Sequence, residues 1–304
     1  MTTADLGQPL DPADPADPPE HHVRIALDTR LRAMVRHEPG TRSGVDPEDL
    51  HQMRVSVRRM RAVLKAARPL LDRRWADDLR AELGWLGRAL GPVRDLDVLL
   101  ARLHREAAEL GGSDTVAAEP LLAALGDERV GARIVMLDAL AGDRYAALVD
   151  RIAAAVAAPL PTPGDTAERP ELTGLVTKEF RRLSKAVRAA GDDPPDAVLH
   201  ELRIQGKRLR YTGELVEPAL PDKAARKAIR RLLRAMETMQ DVLGDHQDAC
   251  VAQQRVRQLL DGLGPAAGTA VAFAAGRLVE REETRRLDTR AAWPAAWQAV
   301  VDNS

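Results

Sequence analysis

Two segments of this chain carry cationic side chains in a row, at spacings that place them on one face of a helix. The two cationic rows comprise His51, Arg54, Arg58, Arg61 and Lys65 in the first segment, and His200, Arg203, Lys207 and Arg210 in the second. Adding 149 to the first four residue numbers gives the four of the second row. Steps of three, four and three residues keep these side chains on one side of an α-helix. Guanidinium, ammonium and imidazole groups arranged in this way bind phosphate or carboxylate oxygens, so the rows predict a strongly anionic partner.

A solvated helix face is the ordinary alternative explanation for a basic row. Carboxylates do not alternate with the cations inside either row, and apolar residues such as Met53 and Leu202 flank the rows, so the opposite face of each helix already packs. We therefore favour anion binding. His51 and His200 could instead make local hydrogen bonds at a helix start, but we favour phosphate contact. A histidine among arginines should stay neutral until an anion arrives.

Further cations lie beside the rows and on the helices that precede them. The candidate set for anion binding therefore also includes Arg59, Arg208, Arg32, Arg36, Arg181, Lys185 and Arg188. The last three share a helix face at i, i+4 and i+7, so they are predicted to widen a groove between the two halves.

The composition and periodicity of the chain indicate an all-α protein. Aromatic residues make up only 3% of the sequence, whereas the helix formers Ala, Leu and Arg are abundant. Helices are predicted at about 20–37, 47–70, 72–90, 93–110, 115–125, 128–157, 171–190, 195–217, 221–243, 245–262 and 265–289, with an interruption near Gly142. Asp and Pro residues just before each row are typical of helix N-termini. We find no alternating strand pattern and no Asn-Gly hairpin in the sequence.

The order of motifs repeats along the chain. Downstream of each row, an apolar stretch ends in Leu-Gly and an acidic signature follows. The signatures contain Leu90-Gly91, Arg94, Asp95 and Asp97 in the first half, and Leu243-Gly244, Asp245, His246 and Asp248 in the second. We predict that each glycine ends one helix and that the acidic group begins the next. The repeated order predicts an internal duplication in which the two cationic rows face each other across the centre.

The acidic signatures admit two interpretations. Their carboxylates could ligate a divalent cation, with His246 adding a nitrogen, or they could pair with arginines and orient them. Since the sequence has no EF-hand loop and no His-Glu-x-x-His arrangement, we favour pairing and predict no metal site. Cys250 is the only cysteine and is expected to be a small core residue, which excludes an intramolecular disulfide.

Composition divides the chain into five parts. Residues 1–19 are acidic and proline-rich and are expected to form a disordered tail. Two helical halves follow at 20–158 and 171–290, with a linker over 159–170 between them and a C-terminal tail over 291–304. The net charge of −1 excludes a general polycation. Because the N-terminus lacks the features of a secretory signal and no apolar run could span a bilayer, we expect a cytoplasmic protein without a membrane partner.

These motifs resemble the CHAD family, the histidine-containing α-helical domains. The resemblance covers residues 20–290 and rests on the paired H-x-x-R-x-x-x-[RK]-[RK]-x-R helices, each followed by Leu-Gly and an Asp-bearing segment. It implies two pseudo-symmetric four-helix bundles with a basic groove or pore between them that binds inorganic polyphosphate. Two departures are Gln247, at the position of Arg94, and Gly206, which costs the second helix about 1 kcal/mol relative to Ala. The E-x-E-x-K signature of the triphosphate-tunnel domains that often accompany the family is missing, so a stand-alone protein is expected.

Three functions are compatible with these features. The first is non-enzymatic binding of inorganic polyphosphate, which needs no cofactor and in which divalent cations act only as counterions of the polymer. The alternative partner is nucleic acid or another polyanion, but single-strand binders usually stack bases on aromatic side chains, which are scarce here. The third is a phosphate-processing enzyme, for which we find no P-loop and no G-x-S-x-G motif. Association with polyphosphate granules is compatible with the first of these functions.

Overall fold

The computed structural model describes residues 6–163 and 171–304 of the chain. Every regular element in these two ranges is a helix, which confirms the all-α prediction. The α-helices of this part are α1 (Pro19–Ser43), α2 (Pro47–Ala66), α3 (Arg73–Leu110), α4 (Gly112–Ala117), α5 (Glu119–Ala141), α6 (Asp143–Ala157), α7 (Leu172–Ala190), α8 (Asp196–Val216), α9 (Lys223–Leu263) and α10 (Gly268–Asp302). None of the described helices is both long and apolar enough to cross a membrane.

Three apolar clusters hold the helices together. The first cluster is formed mainly by α1, α2, α6 and the first part of α3, and the second by α7, α8, the first part of α9 and the end of α10. The third cluster joins the ends of α3 and α9 to the starts of α5 and α10. The long helices α3 and α9 therefore run from the core of their own half into a core that both halves share. Both halves present two shorter helices followed by a long one, while an internal duplication stays a prediction.

The two Leu-Gly motifs lie inside helices, so the prediction that Gly91 and Gly244 end helices is wrong. The segments predicted as two helices in each half form the single helices α3 and α9. Neither glycine has the left-handed φ that would terminate a helix. Instead, each glycine faces an arginine: a Cβ on Gly91 would lie 2.9 Å from Nη1 of Arg54, and one on Gly244 would lie 3.6 Å from Nε of Arg203. The glycines allow the cationic helices to approach the long helices closely.

The N-terminal segment from residue 6 onward packs against α1, so the disordered tail predicted over 1–19 is wrong for this part; the first five residues lie outside the described ranges. Arg32 donates to the carbonyl oxygen of Gly7 over 2.9 Å and to Asp28 over 2.8 Å. The backbone N–H of Leu10 donates to the other carboxylate oxygen of Asp28 over 3.0 Å. One arginine and one buried carboxylate thus tie this segment to the first bundle.

Two further boundaries differ from the sequence prediction. The C-terminal tail predicted over 291–304 instead continues α10, because Trp293 is buried in the second core and holds the helix against the bundle. The second residue of the linker predicted over 159–170, Leu160, is buried and packs in the first core. Its positions from 164 onward lie outside the described ranges. The predicted interruption near Gly142 is confirmed, since this residue separates α5 from α6.

A glycine inside the second cationic helix makes room for a neighbouring side chain. Gly206 is buried, and a Cβ there would lie 2.2 Å from the terminal amide group of Gln240 on α9. The equivalent pair of the first half, obtained by subtracting 149 and 153, is Val57 on α2 and Gly87 on α3. There the side chain and the gap are exchanged, and a Cβ on Gly87 would lie 3.7 Å from Cγ1 of Val57. In each half, the contact between the cationic helix and the long helix therefore pairs one side chain with one glycine.

This exchange predicts a compensating pair of substitutions. Gly206→Val should destabilise the protein by about 1–3 kcal/mol, because the new side chain overlaps Gln240 in a packed contact. Adding Gln240→Gly recreates the arrangement of the first half and should recover at least half of the loss in a urea unfolding curve. Gly131→Ala, at an exposed and open position of α5, is the control and should raise stability by about 0.5–1 kcal/mol. No recovery in the double variant would contradict the exchange.

Candidate anion-binding site

Six residues of the cationic rows line one cavity between α2, α3, α8 and α9, which we call the central cavity. These are His51, Arg54 and Arg58 from α2, and His200, Arg203 and Lys207 from α8. The long helices complete its polar lining with the charged residues Arg94, Asp95, Arg102 and Asp248 and with the neutral amide of Gln247. The volume of the central cavity is about 440 Å³. The prediction that the two rows share one cavity is therefore correct for these six residues.

The apolar faces of α2 and α8 turn the cationic rows toward the cavity. Asp46 caps the start of α2 by accepting a hydrogen bond from the backbone of Glu48 over 2.8 Å. Met53 and Met60 on the opposite face of α2 are fully buried in the first core, and Leu202 of α8 is buried in the second. Because each helix is fixed by its own bundle, the rows meet where the two bundles meet.

Arg54 is held in place by the long helix α3. Its Nη1 donates to the carbonyl oxygen of Gly91 over 2.5 Å, and its Nη2 lies 2.9 Å from a carboxylate oxygen of Asp95. This contact agrees with the predicted role of the acidic signature, in which carboxylates orient arginines. Asp97 pairs instead with Arg129 of α5. The signature therefore serves two purposes, one at the cavity and one in bundle packing.

Burial and crowding shift the pKa values of the cavity groups. Burial, followed by the charges of Arg203 and Arg58, lowers the pKa of the Lys207 ammonium to about 7. Burial raises the pKa of the Asp248 carboxyl group, against the opposing effect of Arg203. Burial and the charge of Arg94 lower the pKa of His51, in agreement with the expectation of a neutral histidine among arginines. An anion entering the cavity would reverse the shift of Lys207, because the added negative charge stabilises the ammonium.

Three buried nitrogen atoms of the central cavity lack protein partners. Nε of Arg58, Nε of Arg203 and Nδ1 of His200 are buried and make no hydrogen bond to the described residues. A buried polar group left unpaired costs about 1–3 kcal/mol. Oxygen atoms of a bound anion would satisfy such groups with charge-assisted hydrogen bonds. The cavity is thus chemically suited to an anion with several oxygens.

Arg61 and Arg210, predicted to face each other across the same cavity, lie outside it. Arg61 lies beside α3. A Cβ added to Gly84 of α3 would be 3.5 Å from Nη2 of Arg61. Arg210 pairs with Glu214 over 3.1 Å and with Glu237 over 2.9 Å. A helix turns about 100° per residue, so a residue ten positions along is displaced by about 80° around the axis and about 15 Å along it. The ends of the rows therefore leave the cavity.

Lys65 and Arg208 line a separate, second basic cavity of about 340 Å³. Its other cations are Arg68, Arg73, Arg80, Lys178 and Arg182. Burial and the neighbouring charge of Arg208 lower the pKa of Lys65. Arg208 also lies 3.8 Å from the carboxylate of Glu179, which is its nearest acidic partner in this cavity. The sequence placed both residues in one site with the rows, and the structure assigns them to another.

The remaining predicted residues do not line the central cavity. Arg32 is bound by Asp28 and by carbonyl groups of the N-terminal segment, so it is not available to a ligand. Arg59 lies in a third cavity and is 3.6 Å from Glu214. The others are exposed, namely Arg36 on α1 and Arg181, Lys185 and Arg188 on α7. The prediction that the α7 residues widen the groove is wrong, because this face of α7 points to solvent.

Arg102 is a cavity residue that the sequence reasoning missed. It shares one face of α3 with Arg94 and Val98, at steps of four residues, and this spacing was the available signal. Its Nε donates to Glu282 of α10 over 2.7 Å, and its Nη2 contacts the second oxygen of that fully buried carboxylate. This ion pair joins the lining of the cavity to the shared core.

A group of possible metal ligands lies at the start of α8. One ligand atom each from Asp196, His246 and Cys250 falls within 4.8 Å of the others. However, the Asp196 carboxylate accepts hydrogen bonds from Arg286 over 3.0 Å and from Arg290 over 2.8 Å. Burial also raises the pKa of the Cys250 thiol to about 11, so the thiolate that a metal would need is disfavoured. These groups fit a polar cluster within the bundle better than a metal centre.

Comparisons with known proteins agree with the all-helical fold. The family model of the CHAD domain matches residues 25–257. PptA from Streptomyces chartreusis is 25% identical with a TM-score of 0.75, covering 93% of this chain and 100% of that one. The CHAD domain from the plant Ricinus communis is 28% identical with a TM-score of 0.73, covering 96% and 95%. The uncharacterised proteins MT2285 and Rv2226 of Mycobacterium tuberculosis are 30% identical over 224 residues, which are 69% of this chain but only 40% of theirs.

The shifted lysine can be observed directly. The chain has six lysines, so reductive methylation with 13C-formaldehyde would give six lysine resonances, and the N-terminal amine, with a pKa of about 8, adds one more. One resonance should titrate with a midpoint near pH 7, because burial and two arginines disfavour the ammonium of Lys207. That resonance should be missing from the Lys207→Arg variant. If all six lysine resonances titrate only above pH 9, Lys207 does not lie in a buried cavity beside two arginines.

Proposed function

The chain belongs to the CHAD domain family, and we propose that its central cavity binds inorganic polyphosphate without catalysing a reaction. The observation that carries this proposal is the set of buried nitrogen atoms without protein partners, from the guanidinium donors Arg58 and Arg203 and the imidazole of His200, within one cationic cavity. The lining contains six arginine and lysine side chains but only two carboxylates. A ligand rich in anionic oxygens would supply both the missing hydrogen bonds and the missing negative charge.

The arrangement of the cations suits a linear polymer. His51 to Arg58 covers seven residue steps, which is about 10 Å along α2. Polyphosphate carries negative charge at short, regular intervals, so one segment would contact cations from both α2 and α8. Because the cavity is partly shielded from water, each contact is stronger than the same pair would be on an open surface.

The lining also favours polyphosphate over nucleic acid. The described residues around the central cavity include no Phe, Tyr or Trp on which a base could stack. Tyr211 of α8 lines the third cavity instead. Polyphosphate has no base, so a lining of guanidinium and ammonium groups is sufficient for it.

We propose binding without catalysis. The lining includes His51, His200, Asp95 and Asp248, which are residue types that can accept a phosphoryl group, so the proposal also requires that the protein release no phosphate from long-chain polyphosphate. Divalent cations would act as counterions of the polymer. On this proposal the protein works where polyphosphate accumulates, in the cytoplasm and at polyphosphate granules.

Removing charge from either helix should damage the same binding event. Losing one charge-assisted contact costs about 1.5–3 kcal/mol. We consider two double variants, Arg54→Ala with Arg58→Ala on α2 and Arg203→Ala with Lys207→Ala on α8. Each should bind long-chain polyphosphate at least about tenfold more weakly than the wild type. The matched control is Lys223→Ala with Lys227→Ala, which removes two exposed charges at the start of α9. We expect it to change the affinity less than about threefold in fluorescence titrations.

Circular dichroism and thermal melts check that the variants are folded. A folded double variant of either cationic helix that binds like the wild type would overturn the proposal. If the control loses as much affinity as the cavity variants, general charge attraction rather than the cavity holds the polymer.

The affinity for polyphosphate should also fall steeply with salt. For single strands of nucleic acid, the slope of log K against log salt is about −0.7 per neutralised phosphate, so four contacts give about −3. The measurement is a titration series between low and physiological salt, with single-stranded DNA of matched charge as a second ligand. We expect weaker binding of DNA under every condition. A nearly salt-independent affinity for polyphosphate would indicate that the cavity is a pre-organised site for a small ligand. It would contradict binding of a polymer through several phosphate contacts.

A further inference from the structure

The third cavity differs from the two basic ones because most of its wall is apolar. It has a volume of about 320 Å³ and lies between α1, α2, α8 and the N-terminal segment. Ile25 of α1, Val63 of α2 and Leu215 of α8 contribute apolar surface, and Pro12 of the N-terminal segment closes one side. None of its lining residues belongs to the central cavity. A polyphosphate chain has no apolar part, so this wall is not explained by the proposed function.

Cations stand at one part of this apolar wall. Arg30 from α1 and Arg59 from α2 both line the third cavity, and burial followed by the charge of Arg59 lowers the pKa of Arg30. The acidic residue there is Glu214, 3.6 Å from Arg59, and it also accepts a hydrogen bond from Arg210 over 3.1 Å. One carboxylate is therefore shared among several guanidinium groups. Nε of Arg59 is buried and has no hydrogen-bond partner among the described residues.

A buried histidine adds a further unsatisfied group. His22 lines the third cavity and is only 4% exposed. Its Nε2 makes no hydrogen bond to the residues that the structure describes. Burial lowers the pKa of this imidazole, so it is neutral at neutral pH and can donate or accept one hydrogen bond without adding charge. The third cavity therefore has more guanidinium groups than carboxylates. It also has one neutral imidazole that can form a hydrogen bond with a ligand.

We infer that the third cavity binds a small monocarboxylate with an apolar body. The carboxylate of the ligand would lie between Arg30 and Arg59. Glu214 balances only one of these two positive charges, and the ligand carboxylate would balance the other. The apolar body would cover Val63 and Leu215. The volume lies at the lower end of the range of about 300–1,000 Å³ that is usual for small-molecule sites. Such sites combine an apolar wall with a few polar groups that fix the orientation of the ligand.

The N-terminal segment is part of this site. Its backbone is fastened to α1 by Arg32 and Asp28, so Pro12 is held over the cavity as a wall. The role of Arg32 is therefore to position this wall and not to contact polyphosphate. The lining of the site comes from the N-terminal segment, α1, α2, α8 and Pro218. No residue of the two cationic rows lines it.

Calorimetric titration of the full chain with naphthalene-1-acetate tests the inference, with the neutral naphthalene-1-acetamide as the matched ligand. We expect the carboxylate to bind with a dissociation constant below 1 mM, on the order of tenfold more tightly than the amide, since a charge-assisted contact distinguishes them. Saturating polyphosphate should leave this binding unchanged, because the cavities share no lining residue. Equal affinities of the two ligands, or no binding of the carboxylate at 5 mM, would overturn the inference.

Two variants locate the site independently. Arg59→Met removes the guanidinium but keeps an unbranched apolar stem, and Ala26→Leu fills the apolar part of the cavity. Each variant should bind naphthalene-1-acetate at least about fivefold more weakly. Arg105→Met, at an exposed position of α3, removes the same charge and should have no effect. Long-chain polyphosphate should bind the Ala26→Leu variant like the wild type. If both cavity variants are folded and bind the carboxylate normally, the ligand lies elsewhere and the inference is wrong.

Discussion

Like charges held close together in a partly buried space are the constraint on which the rest of this structure depends. Arg58, Arg203 and Lys207 come from two different bundles and converge on one cavity. The lowered pKa of Lys207 shows that the protein alone does not stabilise all of these charges. Such an arrangement persists only because apolar packing on the opposite faces of α2 and α8 fixes both helices. The shared core between α3, α5, α9 and α10 then fixes one bundle against the other.

The long helices control how closely the charges approach. On α3, Gly91 offers its carbonyl oxygen to Arg54, and Asp95 one turn later neutralises part of the charge. On α9, Asp248 acts on Arg203 in a more buried setting, where desolvation raises the carboxyl pKa. The two halves therefore share one helix order but differ in electrostatic balance, since only the second half holds a lysine in the cavity, and burial lowers the pKa of this Lys207 to about 7.

Neighbouring residues of one helix serve different cavities. Consecutive positions on an α-helix are about 100° apart, so Arg58 and Arg59 cannot point in the same direction. Arg58 lines the central cavity, whereas Arg59 lines the third cavity with Glu214. Lys207 and Arg208 are separated in the same way, between the central and the second basic cavity. A run of basic residues in the sequence therefore contributes to several sites.

The sequence by itself determined the helical class, the break at Gly142 and the two cationic faces, because periodicity and helix-end chemistry are local properties of the chain. Only the tertiary structure decided that α3 continues through Gly91, that Arg102 reaches the central cavity and that Arg32 is bound by the N-terminal segment. Each of these outcomes depends on a contact between segments far apart in the chain. A glycine that ends a helix and one that admits an arginine look alike in sequence, and the approaching helix decides between them.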